Sequence, residues 1–139
     1  MPTRHKPHGE SRVSQCGDIF LLHLSGASNK EGAERRGRKL QDFWLSAGAP
    51  ARWGILVDLR AWEGATPESF AMAGDTLQWT LDNGLQASAM VVADELPRSM
   101  MERHIQRYPR AISTRIFRDM DTAFEWLISL GFEVEKPGS

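Results

Sequence analysis

The chain has 139 residues, with 17 Lys and Arg against 18 Asp and Glu, and 41% of its residues are apolar. This length predicts a single domain whose core is large enough to need neither disulfides nor metal ions. The net charge of −1 excludes a strongly basic nucleic-acid binder and a strongly acidic tail protein, although local charged patches remain open.

Composition also bears on the cellular compartment. The single cysteine, Cys16, excludes an internal disulfide and fits a reducing compartment. No apolar run approaches the roughly 20 residues of a membrane helix, and the N-terminal stretch lacks the apolar core of a secretory signal. We therefore expect a cytoplasmic protein without a membrane span.

The two ends of the chain are polar. Residues 1–11 contain two prolines and a glycine and show no periodicity, which predicts a flexible N-terminal tail. The domain is predicted to span 12–132, and 133–139 is predicted to be a C-terminal tail.

The domain is predicted to begin with a β-hairpin. A short alternating segment leads to a turn at Gly17 and Asp18, and the apolar run Ile19–Leu24 follows, closed by Ser25 and Gly26.

A charged helix is predicted next, from about Lys30 to Ala47. Ser28 or Asn29 can cap its start, and Gly48 marks its end. Helical spacing places one set of residues on a single buried face: Ala33, Gly37, Leu40, Trp44 and Ala47.

The segment Trp53–Leu59 is apolar on both faces, as is typical of a central strand covered on both sides. A loop is predicted over Arg60–Ala65. Thr66 as N-cap, with Pro67 at the first helical position, then starts a helix that runs to about Asn83.

Three further elements and a final helix complete the pattern. Leu85–Ala93 and Ile112–Phe117 are predicted strands, Pro97–Tyr108 is a predicted helix, and Asp121 is expected to cap the last helix, which ends near Leu130. Strands that alternate with helices at this spacing predict a single-domain α/β sandwich with a mainly parallel sheet of about four or five strands and about four helices.

No catalytic signature is present: the chain has no GxGxxG, GxxxxGK[ST], GxSxG or HExxH motif. We therefore predict a protein that is not an enzyme and needs no cofactor or metal. His23 is predicted to be a hydrogen-bonded core histidine, and His104 to face solvent. An enzyme built on Asp58, Glu63 and His104 would need separate loops to converge, which no spacing supports.

The end of the central strand is the first candidate site. Ligands gather outside the carboxyl ends of parallel strands, and a helix N-terminus adds a positive dipole there. An anion or partner site would use Asp58, Arg60, Trp62, Glu63, Thr66 and Ser69. Alternatively, Asp58 fastens the loop by hydrogen bonds and Thr66 only caps its helix.

The helix after Thr66 carries more apolar surface than one buried stripe needs. Met72 and Trp79 lie seven residues apart on a flank of this helix, beside Thr76. Exposed Met and Trp at this spacing indicate a protein contact, whereas a core that reaches round the helix would explain them equally well.

Six arginines fall close together in the last third of the chain, among them Arg103 and Arg107 one helical turn apart. This local basic patch, or solvated face, contains Arg98, Arg103, Arg107, Arg110, Arg115 and Arg118. It could meet an acidic partner, a phosphate-bearing ligand or anionic lipid, but no motif supports base readout in nucleic acid.

Together, the hairpin at Gly17-Asp18, the strand Ile55–Leu59 leading to a hydroxyl-bearing helix start, and the ending Ile116–Leu127 resemble the STAS/SpoIIAA-like group, domains similar to anti-sigma factor antagonists. The resemblance covers about residues 12–131. The stretch WGILVDLRAWEG looks closer to the uncharacterised bacterial SpoIIAA-like branch than to the sporulation regulators.

The resemblance implies a small α/β sandwich that binds other proteins or small ligands without turnover. In regulatory members of the group, a serine or threonine at the start of the helix after the Asp-bearing strand is phosphorylated by a partner kinase. Their Asp-Ser-Ser-Gly-like motif is not reproduced here, because Ala65–Ser69 reads ATPES, but Thr66 and Ser69 are possible acceptors.

We therefore expect a non-enzymatic bacterial binding or regulatory module. It would contact a partner protein through the loop and helix that follow Asp58. The alternative is a carrier or sensor of a small amphipathic or anionic ligand, held among the chain's five tryptophans and six methionines. Homo-oligomerisation is compatible with either function.

Overall fold

A computed structural model of the chain describes residues 9–106 and 112–134. Within these ranges the elements follow the order β1 Glu10–Cys16, β2 Ile19–Ser28, α1 Lys30–Ser46, β3 Trp53–Ala65, α2 Pro67–Asp82, β4 Leu85–Val91, α3 Glu95–Ile105, β5 Ser113–Phe117 and α4 Met120–Ser129. The expected hairpin and the alternation of helices and strands are confirmed. None of these helices combines the length and the apolar character needed to cross a membrane.

The strands form one sheet in the order β1-β2-β3-β4-β5. β1 pairs antiparallel with β2 through the turn at Gly17, and every other neighbouring pair is parallel. Three successive crossovers step across the sheet in the same direction. Because such crossovers are right-handed, α1, α2 and α3 pack on one face, and α4, after the last strand, covers the other. The predicted mainly parallel α/β sandwich is confirmed.

Alternation along β3 divides the core between the two faces. Ile55 and Val57 belong to the cluster under α1, α2 and α3, whereas Leu56 belongs to the cluster under α4. A strand covered on both sides is apolar on both faces, which explains the apolar run Trp53–Val57 that precedes Asp58.

The loop predicted over Arg60–Ala65 is wrong, because β3 continues as a strand to Ala65. Its partner is the end of β2, which runs past the expected stop at Ser25 and Gly26 as far as Ser28. Two register shifts in this pairing let the strands bend together while the backbone stays hydrogen-bonded. The candidate site is therefore built on a bulged two-strand extension.

Helix caps follow the expected chemistry, with one correction. Asn29 accepts a hydrogen bond from the Gly32 amide at 2.8 Å, and Asn29 rather than Ser28 is the cap of α1. The expected cap at Asp121 is wrong: Asp119 Oδ1 accepts from the Thr122 amide at 2.8 Å, so α4 begins two residues earlier.

Several elements begin at residues other than those expected from the sequence. β1 begins at Glu10, ahead of the expected start at residue 12, and α3 begins at Glu95 rather than Pro97. Phe132 is buried and the Asp18 amide donates to the Glu133 carbonyl at 2.7 Å, so this stretch packs on the hairpin. Residues 1–8, 107–111 and 135–139, with Tyr108, Arg107 and Arg110, lie outside the described residues.

Candidate functional site

A buried carboxylate and its two basic partners form a cluster on the α4 face of the sheet. Asp58 on β3 is 3% exposed, and it points away from the side occupied by its neighbours Val57 and Leu59. His23, its register partner on β2, brings Nδ1 to 2.6 Å from Asp58 Oδ2. Arg60 holds both carboxylate oxygens through Nε and Nη2 at 2.9 Å each, and its backbone amide also donates to Oδ1 at 3.1 Å.

The cluster keeps Asp58 ionised. Burial raises the pKa of this carboxyl group, but the hydrogen bonds and positive charge of Arg60, assisted by His23, outweigh burial and lower the pKa to about 2. The hydrogen bond and negative charge of Asp58 in turn raise the pKa of the Arg60 guanidinium. An ionised carboxylate only accepts hydrogen bonds, so Nδ1 of His23 is the donor in this contact.

This geometry agrees with the interpretation in which Asp58 fastens the segment after it. The expected core position of His23 is wrong, however, because 34% of its side chain is exposed. Its hydrogen bond to a carboxylate is as expected. The imidazole lies at the margin of the sheet face, where α4 leaves β2 partly open.

Four exposed polar residues lie along the end of β3 and the start of α2, and we call them the shoulder: Arg60, Glu63, Thr66 and Glu68. Thr66 caps α2 by accepting from the Ser69 amide at 3.1 Å. Thr66 is itself exposed, whereas Ser69 is 1% exposed and its hydroxyl is shielded by the core. Of the two possible phosphate acceptors, only Thr66 lies on the surface.

Trp62, which the sequence places in the candidate partner site as an exposed contact residue, is instead buried. Its side chain is 4% exposed, and its ring packs edge-on against Phe70 of α2, with 6.2 Å between the ring centroids. Trp62 therefore anchors the β3 extension to α2. It cannot offer a contact surface to a partner while the extension remains paired.

The flank of α2 with Met72 and Trp79 is covered in large part by α1. Trp79 packs edge-on against Trp44, with ring centroids 5.5 Å apart, and Thr76 lies against Gly37, where any larger residue would be crowded. Met72 and Trp79 are both partly buried. The larger core accounts for Trp79, which packs against the cluster under α1, α2 and α3.

His104 does not face solvent as expected. It is partly buried on α3, with its ring 4.8 Å from the ring of Phe70, on the face of the sheet opposite to Asp58. Asp58 and His104 are thus separated by the sheet, and they do not form the catalytic set considered from the sequence. In the described part of the chain, no group of three or more His, Cys, Asp or Glu side chains could hold a metal ion.

The predicted basic patch is divided. Arg98 pairs with Glu102 at 3.0 Å on α3, and Arg103 is exposed on the same helix. Arg115 lies on β5, with its guanidinium 5.4 Å from the centre of the Phe117 ring in the α4-side cluster. The described arginines therefore do not share one surface.

Two hollows beside α2 were not foreseen from the sequence. The inner cavity, about 110 Å³, lies between the sheet and the helices and is lined mainly by apolar side chains such as Leu24, Val57 and Met90. The α2–α3 groove, about 600 Å³, opens beside it and is lined by Pro67, Phe70, Ala71, Gly74, Leu77, Met100, Arg103 and His104. The small residues Ala71 and Gly74 are a local signal for such a groove, but its width depends on where α3 packs.

Comparison with known proteins gives similarity at the level of structure. No family model and no curated protein matches the chain. A solved structure of an uncharacterised DUF3478-family protein from Shewanella loihica, described as having a SpoIIAA-like fold, matches with a TM-score of 0.60 and 18% identity, over 90% of this chain and 98% of that chain. The fold is SpoIIAA-like.

Two further structures share the SpoIIAA-like fold. A putative anti-sigma factor antagonist from Thermotoga maritima matches with a TM-score of 0.60 and 16% identity, over 85% of this chain and 94% of that chain. The anti-sigma factor antagonist SpoIIAA in its unphosphorylated form matches with a TM-score of 0.56 and 11% identity, over 86% of this chain and 98% of its own. The resemblance noted in the sequence is thus confirmed for the fold.

Proposed function

We propose that this chain is a regulatory module that binds a partner protein through the shoulder and catalyses no reaction. The observation that carries the proposal is the surface position of Thr66 and its charged neighbours on a SpoIIAA-like fold, two of whose solved examples are described as anti-sigma factor antagonists. Trp62 and Ser69, considered for this surface from the sequence, are buried, and Trp79 packs against the core, so the proposal does not use them.

Buried contacts beneath the shoulder fix the conformation of its backbone. Trp62 is buried under it, and the Thr66 amide donates to the Ser28 carbonyl at 3.1 Å. Arg60 is 50% exposed while its guanidinium stays paired with Asp58. A partner would therefore meet a preorganised polar surface, which lowers the entropic cost of binding.

Thr66 is the residue that we propose as the phosphate acceptor in such a switch. A phosphate at this position would add negative charge at the N-terminus of α2, where free amides and the helix dipole favour it. Intact-mass measurement on chain isolated from its own cells tests this proposal. We expect a mass increase of one phosphate that Thr66→Ala abolishes, and retention of that phosphate in Thr66→Ala would contradict it.

Site-specific photo-crosslinking tests the docking surface. A photoreactive amino acid replaces Glu63 on the shoulder in cells of the source organism, and the matched control replaces Arg38, which is exposed on α1. We expect a discrete covalent adduct with one protein from position 63 and none from position 38. Equal adducts from both positions, or none from position 63, would show that the shoulder is not the docking surface.

A second function is favoured by a specific observation: the inner cavity is mainly apolar and lies next to the α2–α3 groove, with which it shares Phe70, Leu77 and His104 as lining residues. We propose on this basis that the chain carries or senses a small amphipathic ligand. Native mass spectrometry of chain purified without denaturant tests it. A bound organic molecule is expected, and chain that is always bare would contradict it.

A further inference from the structure

We infer that the α2–α3 groove binds an alkyl carboxylate, with the hydrocarbon chain along α2 and the carboxylate at Arg103. This inference rests on the second proposed function and specifies its ligand class and its site. It follows from the shape of the groove, its position beside the inner cavity, and the sign of its charge.

The shape of the groove suits a chain-like apolar molecule. One wall is a single stripe of α2 with helical spacing, from Pro67 through Phe70, Ala71 and Gly74 to Leu77. At a rise of about 1.5 Å per residue, this stripe is about 15 Å long. Gly74 leaves open space beside the helix, since a Cβ built there would meet nothing within 4 Å. A volume of about 600 Å³ lies within the range of ligand pockets in proteins.

An apolar space adjoins the groove. Phe70, Leu77 and His104 line both the groove and the inner cavity, so the two spaces lie on either side of these side chains. Leu40, Trp62 and other core residues also line the cavity. Entry of an alkyl tail there would remove apolar surface from water on both molecules.

The charge of the lining selects an anionic head group. Arg103 is the one side chain with a permanent charge among the described residues that line the groove, and no carboxylate is among them. Nearby Glu102 is already paired with Arg98. A guanidinium matches a carboxylate with two parallel hydrogen bonds, whereas it would repel an ammonium head group.

Calorimetric titration of the purified chain with dodecanoate and dodecanol tests the inference. The two probes share one hydrocarbon chain and differ in charge. Gly74→Leu fills the groove from a helical position that tolerates a side chain, and Gln78→Leu is the control, since Gln78 is exposed on α2 outside the lining. We expect dodecanoate to bind the wild-type chain and Gln78→Leu equally, and Gly74→Leu to lose binding. Unchanged binding by Gly74→Leu, or the same loss in both variants, would overturn the assigned site.

A separate set of titrations tests the assignment of the carboxylate to Arg103. Arg103→Gln should weaken dodecanoate about tenfold, as expected for a charged hydrogen bond, and leave dodecanol unchanged. Arg38→Gln, which removes an exposed charge from α1, should change neither. If dodecanol binds as tightly as dodecanoate and Arg103→Gln has no effect, the carboxylate preference is wrong while ligand binding stands. If neither probe binds, both this inference and the second proposed function fail, and docking at the shoulder is unaffected.

Discussion

Asp58 shows how a single residue can be both costly to bury and stabilising. A carboxylate withdrawn from water loses hydration, and it is tolerated only when donors replace the lost water. Arg60 supplies three such donors and His23 supplies a fourth. Because Arg60 is two residues away on the same strand, the cluster forms locally and holds the start of the β3 extension.

The pH dependence of stability should reveal this cluster. The pKa of Asp58 is about 2 in the folded chain, below the value of about 3.9 expected when unfolded. The stabilisation is therefore present above about pH 4 and is lost as the pH falls toward 2. We expect Asp58→Asn to lower the free energy of unfolding by about 1–2 kcal/mol at neutral pH, after allowance for the solvent exposure of Arg60.

Urea unfolding at pH 7, 4 and 2.5 measures this difference. The gap between the wild-type chain and Asp58→Asn should be nearly full at pH 4 and should narrow to well under half of its neutral value at pH 2.5. Glu63→Gln is the matched control, because Glu63 is exposed and the substitution is the same change from carboxyl to amide. A gap for Asp58→Asn that does not vary with pH would show that packing, not ionisation, is responsible.

At the scale of elements, a turn can require glycine for two reasons. The residue may have a positive φ, and a neighbouring backbone atom may lie too close to leave room for a Cβ. Gly48, after α1, and Gly84, before β4, both have positive φ, +89° and +99°. A Cβ at Gly48 would meet nothing, whereas a Cβ at Gly84 would clash with the carbonyl oxygen of Ala51. The Gly84 carbonyl also accepts a hydrogen bond from the Trp53 amide at 3.2 Å, at the start of β3.

Two alanine substitutions separate these effects. Gly48→Ala should cost about 1–2 kcal/mol, the usual penalty for a left-handed residue with a side chain. Gly84→Ala should cost about 3 kcal/mol or more, because the backbone at Ala51 must also move. Chemical denaturation of both variants gives the comparison. Equal losses would mean that the contact with Ala51 relaxes at no cost.

Elements with local signals were predicted well, and elements that depend on distant partners were not. Asn29 and Thr66 cap helices through their own side chains, so the starts of α1 and α2 could be read from the sequence. β3 continues past Leu59 because it pairs with the end of β2. No local pattern within Arg60–Ala65 predicts that pairing. The predicted loop was therefore wrong, and with it the exposure of Trp62.

At the scale of the whole molecule, the same distinction governs the site. The α/β class and the strand-end position of Asp58 follow from the order of elements. The α2–α3 groove depends on the spacing of two helices separated by β4, and the burial of His104 depends on that spacing as well. Periodicity within one helix contains no information about that distance.

The stretch after α4 is hydrogen-bonded to the β1–β2 turn. Phe132 packs on Gly54 beneath the guanidinium of Arg52, which lies 4.2 Å from the ring centre. The next residue, Glu133, accepts from the Asp18 amide and donates to Asp18 Oδ2 at 3.1 Å. The stretch after α4 therefore secures the β1–β2 hairpin.

Removing this fastening should weaken the hairpin before the rest of the sheet. Phe132→Ala deletes a buried ring and should cost about 3–5 kcal/mol, whereas Ile128→Ala, at an exposed position on α4, should cost less than about 0.5 kcal/mol. Hydrogen exchange monitored by NMR distinguishes local from global loss. In Phe132→Ala the Asp18 amide should lose more protection than core amides of β4 such as Ala89, because its acceptor is carried by the residue next to the deleted ring. Equal loss of protection at Asp18 and Ala89 would show that Phe132 stabilises the whole domain and not the hairpin in particular.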